Sequence, residues 1–214
     1  MALRQDTVVR TALRLLEEVG LDGLSLRRLA KVLGVQPAAL YWHIKDKQEL
    51  LDLMAEEMLA GEFAALRPPA PEEPWQDWLR DLAWRLRRSL RTHRDGARIF
   101  AGARPVRGTL QVMDQLVVVL LRAGFGPQDA LRNGGVVVSY TLGFVLDEQA
   151  AAAAFAADGT APENVGAALA SGDYPVLGEV LATVGRPNPD ADFRHGTELM
   201  VAGMSALATA ATGR

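Results

Sequence analysis

Cysteine is absent from all 214 residues. That excludes a disulfide framework and any thiolate metal site. Histidine is scarce: only His43, His93 and His195 occur, far apart and without ligand spacing, so no metal site is expected. Long apolar runs are missing too. The best candidate, Val136 to Leu146, falls short of the roughly 20 residues a membrane span needs. It is interrupted by Ser139, Tyr140 and Thr141 and reads as a buried helix. Arg4, Asp6, Arg10, Arg14, Glu17 and Glu18 break up the N-terminal segment, so no secretory signal is expected there. A cytoplasmic location without membrane association is the expectation. Enzyme signatures are also lacking: there is no phosphate-cradling glycine loop and no nucleophile elbow. The adjacent pairs Glu17/Glu18 and Glu56/Glu57 diverge on a helix rather than share a site. Neither an enzymatic activity nor a cofactor is expected.

Apolar residues make up 49% of the chain, enough to bury a real core. The net charge of −3 hides a gradient. Residues 1–50 carry eight Lys/Arg against six Asp/Glu, so this end is locally basic in an acidic chain.

Almost every segment has helical period, which predicts an all-α fold. The valine patches at 117–119 and 136–138 lie inside longer helical segments and are expected to be helical. A first helix over about Arg4–Val19 is punctuated by Gly20 and Gly23. Ser25 is a good N-cap for a second helix, and Gly34 ends it in a tight turn. A very short helix follows, about Pro37–Trp42, with proline at a tolerated first-turn position. Asp46 and Glu49 resemble a capping box for a fourth helix reaching about Leu66. Arg67 to Pro74 holds four prolines and forbids helix. Further helices are expected at about Trp75 onward, Arg94–Ala101, Gly108–Ala123 and Pro127–Ala157. One or two short helices between Pro162 and Val184 follow, and a last helix over about Asp190–Ala211.

Ser25 to Lys47 reads as a helix-turn-helix. Small Ala30 lets two short helices approach, over a core of Leu26, Leu29, Leu33, Val35 and Leu40. The second helix then presents Tyr41, Trp42 and His43 in succession. A helix that enters a DNA groove needs such solvent-facing groups, and Arg27, Arg28, Lys31, Lys45 and Lys47 can clamp phosphates. Packing of the small domain is the competing explanation for Tyr41 and Trp42.

The run Gly34-Val-Gln-Pro-Ala-Ala-Leu-Tyr-Trp-His-Ile-Lys-Asp-Lys-Gln-Glu-Leu-Leu51 resembles the DNA-binding signature of the TetR family of repressors. So does Gly20-Leu-Asp-Gly-Leu-Ser-Leu-Arg-Arg-Leu-Ala30. Trp75-Gln-Asp-Trp-Leu-Arg80, His93-Arg-Asp-Gly-Ala97, Gly102-Ala-Arg-Pro105 and Thr141-Leu-Gly143 look like the sensor half of its tetracycline-responsive members. The resemblance implies a helix-turn-helix domain over 1–46 and an effector-binding, dimerising domain over 47–214. It implies that Ser25, Arg27, Tyr41 and Lys47 grip phosphates, joined by Arg28. Pro37, Ala38, Ala39, Trp42 and His43 fall at the base-reading positions, and Gln36 is a further candidate DNA contact. Pro37 stands where the tetracycline-responsive members have a base-reading glutamine, and Ala39 where they have a threonine. Such a contact contributes roughly 1–3 kcal/mol of discrimination, so a different operator is expected.

The resemblance also implies a cavity in the larger domain. The tetracycline-responsive members hold a magnesium–drug chelate with histidines, an asparagine and a threonine. Here Phe63 and Phe100 replace histidines, Leu82 the asparagine, Ala103 the threonine, Leu116 a glutamine and Ser139 another histidine. Magnesium favours oxygen ligands, so the expected effector is hydrophobic or aromatic and bound without metal. Phe63, Leu82, Leu86, Phe100, Ala103, Met113, Leu116 and Leu131 are candidate walls. Arg104, Pro105, Asn133, Ser139, Tyr140 and Asp147 are candidate polar or loop contacts. Gly134, next to Gly135, either opens space for a ligand or permits close helix packing. Core packing competes with ligand contact for each apolar residue. Homodimerisation is implied through the helices near 127–157 and 190–211, with Ala130, Gly143, Ala202, Gly203 and Ala206 favouring close approach. Arg80 to Arg107 holds nine arginines, read as a solvated face with local ion pairs rather than a second DNA surface. Two alternatives stay open: a tetracycline-type repressor with a magnesium–drug inducer, and a ligand-independent DNA-binding protein.

Overall fold

A computed structural model describes residues 3–105, 107–158, 171–184 and 188–212. The described residues form helices and no strand. In chain order these are α1 Gln5–Gly23, α2 Leu26–Leu33, α3 Pro37–Tyr41, α4 Lys47–Phe63, α5 Trp75–Arg91, α6 Gly96–Gly102, α7 Arg107–Arg122, α8 Pro127–Asp158, α9 Pro175–Thr183 and α10 Pro189–Thr212. Both valine patches are helical, in α7 and α8. Part of the expected short-helix region, 162–170, lies outside the described residues.

Backbone chemistry sets the boundaries. Gly20 has φ 67°, which kinks α1 where its end was expected. The chain then adds one more turn, Leu21–Gly23, because a β-carbon-free residue tolerates that angle. Ser25 caps α2 by accepting from the Arg28 N–H at 3.3 Å. Gly34, also at φ 67°, closes α2 with its N–H on Lys31 and the Val35 N–H on Ala30. α3 starts on Pro37 and ends where the His43 and Ile44 N–H groups fold back onto the Leu40 carbonyl at 2.9 and 3.0 Å. Asp46 caps α4 by accepting from Glu49 N–H at 2.8 Å. The Glu49 carboxylate reaches back to Lys45 N–H at 2.6 Å, one residue upstream of a capping box. α4 stops at Phe63, short of Leu66, because Pro68 disfavours helix at Arg67 and removes a donor. The proline-rich segment is braced: the Trp78 indole donates to the Arg67 carbonyl at 2.6 Å, and Arg67 grips Glu73 through two nitrogens at 2.8 and 2.7 Å.

Two apolar clusters hold the helices together. One joins α1–α4 to Leu86, Leu90, Ala97, Ile99 and Val145. It therefore runs across residue 46, with Leu50, Met54 and Met58 of α4 packed under α1. The other packs α5, α7, α8 and α10 around Trp78, Leu79, Leu120 and Phe193. Phe63 touches both clusters. Gln149 of α8 adds a polar staple, donating to the Leu90 and His93 carbonyls and accepting from Ala97 N–H.

The second cluster contains a charge. Arg87 is only 1% exposed. Its guanidinium forks onto Glu148 at 3.0 and 2.7 Å, and a third nitrogen meets Asp190 at 2.8 Å, off the axis of an aligned hydrogen bond. Trp84, Phe144 and Phe193 surround it with ring centroids 5.0, 5.3 and 4.8 Å away. Burial works against the charge, but Glu148 and Asp190 more than offset it and hold the guanidinium above its ordinary range. Arg87 thus ties α5 to α8 and α10. The other arginines of the 80–107 stretch are largely ion-paired as expected: Arg80 with Asp77 and Glu198, Arg85 with Asp81, Arg88 with Glu62, and Arg98 with Asp22 and Asp95.

On this single chain α8, α9 and α10 keep apolar side chains in solvent. Leu131, Leu199 and Leu207 are each 62% exposed, and α9 buries none of its residues. Gly143 meets nothing within 4 Å, and Ala202, Gly203 and Ala206 are exposed. Ala130 differs from the expectation for a seam residue: it is buried in its own chain's second cluster.

Removing one partner from a buried ion pair costs about 3–5 kcal/mol, because the other charge is left stranded. Arg87→Ala is expected to lose stability of that order in urea denaturation at fixed protein concentration. Arg87→Met, which keeps the packing volume, is expected to lose less. An Arg87→Ala protein as stable as the parent would show that the cage carries nothing.

Candidate DNA interface and effector pocket

Local sequence builds the first face. Leu29, Ala30, Leu40 and Ile44 are all at most 1% exposed and fix α2 against α3. What remains of α3 points outward. Tyr41 is 55% and Trp42 88% exposed, which removes core packing as the reason for either. Ser25, Arg27, Arg28, Gln36, Pro37, Ala38 and Lys47 are exposed as well, and Ala39 and His43 are half-buried. Two of the cations are brought together at the end of α1. Arg28 donates to the Gly23 carbonyl at 3.0 Å, and the Lys47 ammonium approaches the Leu21 carbonyl at 3.4 Å. Gln5 ties the start of α1 to the end of α3 by donating to the His43 carbonyl at 3.1 Å. The result is a small basic surface with two aromatic side chains standing off it. Such a surface can clamp phosphates and touch base edges.

The second feature is a void where the two apolar clusters meet. It measures about 40 Å³. α4 contributes Leu59 and Phe63, α5 Leu82 and Leu86, and α6 Phe100. α7 contributes Thr109, Val112, Met113 and Leu116, and α8 Val137 and Val138. Thr109 is the one polar residue among them. A water needs roughly 10–15 Å³ of such space, so the void holds a few waters at most. Leu59, Phe63, Thr109 and Val112 also line an adjoining groove of about 280 Å³ between α4 and α7.

Six expected wall residues line this void: Phe63, Leu82, Leu86, Phe100, Met113 and Leu116. Ala103 packs near it against the first cluster. Leu131 instead faces solvent, and Pro105, Ser139 and Asp147 are exposed. Tyr140 is engaged elsewhere, donating to the Phe193 carbonyl at 3.0 Å. Asn133 does not line the void, although its side-chain nitrogen is buried without a partner. Gly134 makes room for protein rather than ligand: a β-carbon there would lie 3.0 Å from Leu116. Sequence reasoning missed Leu59, Thr109, Val112, Val137 and Val138. Leu59 and Val112 lie one helical turn before Phe63 and Leu116, a spacing that could have found them.

Models of two families match the chain: bacterial regulatory proteins of the tetR family over residues 8–54, and the tetracyclin repressor-like C-terminal domain over 68–208. The tetracycline repressor class A from transposon 1721 of Escherichia coli is 40% identical over 204 residues, covering 95% of this chain and 91% of that protein. The chain belongs to the TetR family. A possible TetR family regulator from Streptomyces coelicolor A3(2) superposes with a TM-score of 0.83 at 39% identity, covering 95% of this chain and all of that one. The class A repressor in complex with 5a,6-anhydrotetracycline and magnesium superposes at 0.70, with 35% identity over 95% of this chain and 99% of that one. These relatives are regulators rather than enzymes.

Membership in the TetR family raises the question of magnesium. The residues present do not fit it. The void offers one hydroxyl, from Thr109, and the adjoining groove a single carboxylate, Glu56, already bonded to Gly108 N–H, with no imidazole in either, whereas magnesium favours several oxygen ligands in octahedral geometry. Among the described residues, no group of three or more His, Asp or Glu side chains is placed to hold a metal ion.

The two faces are mechanically joined through the polar side of α4. Gln48 donates to the Gly102 carbonyl at 2.8 Å. Asp52 accepts from the Arg104 N–H at 2.7 Å, from its guanidinium at 2.9 and 2.7 Å, and from Gln48 at 2.9 Å. Glu56 accepts from Gly108 N–H at 2.9 Å. Three side chains, each a turn apart, therefore rivet α4 to the connection between α6 and α7. Arg104, a candidate effector contact, is spent in this rivet. The α1 side is riveted to α6 too: Asp95 accepts from Leu21 N–H at 2.8 Å, and Glu17 accepts from His93 and Arg94.

Burial alone would push the Asp52 carboxyl up. The Arg104 N–H, Gln48 and the Arg104 guanidinium outweigh it and hold the group below the ordinary carboxylate range. A lowered folded-state value means that this stabilisation is complete above the unfolded value, about 3.9, and is lost as pH falls through the lowered one. Asp52→Ala is expected to cost about 1–3 kcal/mol at pH 7, since it leaves a buried N–H unpaired. The difference from the parent should shrink only below about pH 4. Urea melts between pH 3 and 7 check both; a difference that fades already at pH 6 would contradict this account of Asp52.

Proposed function

We propose that this protein is a ligand-responsive transcriptional repressor of the cytoplasm. It binds a palindromic operator as a homodimer and is released by a small hydrophobic or aromatic effector held without metal. The observation that carries the sensor half is the apolar void at the junction of α4, α5 and α7, opening toward a groove of 280 Å³. A ligand-independent DNA-binding protein needs no such space. On the DNA side, support comes from the exposure of Tyr41 and Trp42 and of the cations Arg28 and Lys47. The exposed leucines of α8 and α10 support pairing of two copies through those helices, and one short reading helix alone binds too weakly.

Operator half-sites for such dimers lie about one helical turn apart, roughly 34–36 Å. A small shift of α4 in each copy changes the separation of the two α3 helices and breaks simultaneous engagement. An effector larger than 40 Å³ cannot enter the void without parting α4 from α7. α4 carries that displacement toward Asp46 and the α3 end. Similarity to the tetracycline repressors favours a second reading, a magnesium–drug inducer. The lining speaks against it, because Phe63, Phe100 and Leu82 offer the metal nothing.

Gel shift on DNA upstream of the protein's own gene, with a panel of hydrophobic and aromatic compounds, tests the proposal. Retardation reversed by an apolar compound, and unaffected by EDTA, is expected. Tight binding of magnesium–tetracycline would refute the metal-free pocket, and the absence of any shift would count against autoregulation. Lys47→Ala is expected to weaken all DNA sequences alike and to reduce the salt slope of binding by about one.

A further inference from the structure

The outer face of the helix-turn-helix divides its chemistry between elements. Arg27, Arg28 and Lys31 stand exposed on α2, and Lys45 and Lys47 stand exposed where the chain enters α4. α3, between them, carries no charged residue. From Gln36 to Leu40 the Gln36 amide is the only side chain that can donate or accept a hydrogen bond. Pro37 and Ala38 are exposed, Ala39 is half-buried, and Leu40 is turned into the core. Pro37 has no N–H, and the Ala39 N–H is spent on the Gln36 carbonyl at 2.9 Å. Trp42 adds a wide exposed ring. The leading residues of the second helix of such a motif are the ones that meet base edges. Here they are small and apolar, so the backbone of α3 can come within van der Waals distance of the bases.

We infer that α3 reads the C5-methyl groups of thymine, and that each operator half-site presents A·T pairs, methyls inward, to Pro37, Ala38 and Ala39. This rests on the operator-binding reading proposed above and specifies the base chemistry of that partner. In the major groove the edges of the base pairs are polar except for the thymine methyl, the one group that alanine and proline can contact with gain. Against a guanine or cytosine edge the same residues would strip water from donors and acceptors and return nothing, which is costly. The commonest specific contact, a bidentate cation on guanine, has no donor on α3. The Gln36 amide suits adenine, through N6 and N7, and so favours an A·T pair as well. The cations of α2 and the α4 end hold phosphates and carry affinity without sequence, and the methyls supply the choice of sequence.

Repeated selection of duplexes from a random-sequence library by the full-length protein supplies the DNA for the test. The selected duplex is then made again with uracil in place of thymine, which removes every methyl and keeps every Watson–Crick bond. Burying one methyl-sized group is worth roughly fourfold in affinity, and two half-sites double the number, so a loss of about tenfold or more is expected in fluorescence anisotropy. Uracil introduced at one position at a time should concentrate the loss at a few thymines related by the two-fold symmetry of the site. A duplex with 7-deazaguanine, which lacks the N7 acceptor, should bind within about threefold of the parent. Ala38→Gly deletes one partner of the methyls, and a thermal melt checks its fold; the uracil penalty should shrink in that variant, because both changes remove the same contact. Several outcomes overturn methyl reading while DNA binding stands: a uracil duplex bound as tightly as the thymine one, a larger loss from 7-deazaguanine, selected half-sites of G·C pairs, or an undiminished uracil penalty in Ala38→Gly. A loss spread evenly over all thymines, as altered duplex stiffness would give, overturns it too. A library that is never enriched overturns the operator reading and the methyl reading together.

Discussion

The nearly buried carboxylate of Asp52 is the joint on which both halves of the molecule depend. It is 5% exposed and binds Arg104 through backbone and side chain at once. Gln48 and Glu56 repeat the grip one turn to either side. The three partners lie 52 to 54 residues away in sequence, so α4 and the α6–α7 connection advance together in register. On its apolar side the same helix packs under α1. α4 is therefore both a member of the helix-turn-helix unit and a wall of the apolar void, and no proline-rich linker separates the two. The linker that composition does reveal, the proline-rich segment, lies after α4 and is itself braced by Trp78 and Glu73.

Rigidity elsewhere makes such a joint informative. α5, α8 and α10 converge on the Arg87 cage, where a charge without solvent is held by Glu148 and three rings. Breaking such a pair strands its partner, so these helices resist sliding. Gln149 pins the end of α5 to the start of α6. Between a stiff scaffold and a riveted α4, the α4–α7 seam is where the two apolar clusters leave a void and an open groove side by side.

Much of this was legible in the sequence where causes are local. Ser25, Gly34, Pro37 and Asp46 mark boundaries because caps and turns act within a few residues, and each did so. The aromatic pair reads as solvent-facing with packing as the competing explanation; Leu40 and Ile44 are the residues that turn inward, and Tyr41 and Trp42 stay exposed. The resemblance supplied roles for the void as well, and Phe63, Leu82 and Phe100 do line it. Long-range partners were not legible. Nothing near Asp52 or Arg104 signals that they meet, and Arg104 was assigned to the ligand instead of to α4. The resemblance assigns Leu131 and Asp147 to the pocket, but it gives a position and not what the side chain meets in this chain. Gly134 was ambiguous between ligand and helix until Leu116 was seen against it.

The rivets also determine how a ligand's size would be felt. At its C-terminal end α4 is held to α5, where the Glu62 carboxylate pairs with Arg88 and the Glu62 carbonyl accepts from Arg85. Glu56 instead binds the N-terminal end of α7, and Asp52 binds the segment leading into it. With rivets from Gln48 to Glu56 and with Glu62 tied to α5, a body between Leu59 and Val112 would shift α4 together with these partners rather than swing it about a free end. Gln48 carries the first rivet, so the Lys47 end would follow the α6–α7 connection as one unit. That end carries the Asp46 cap, and α3 lies immediately before it. Bulk at Phe63 would thus be felt at α3 only through this riveted unit.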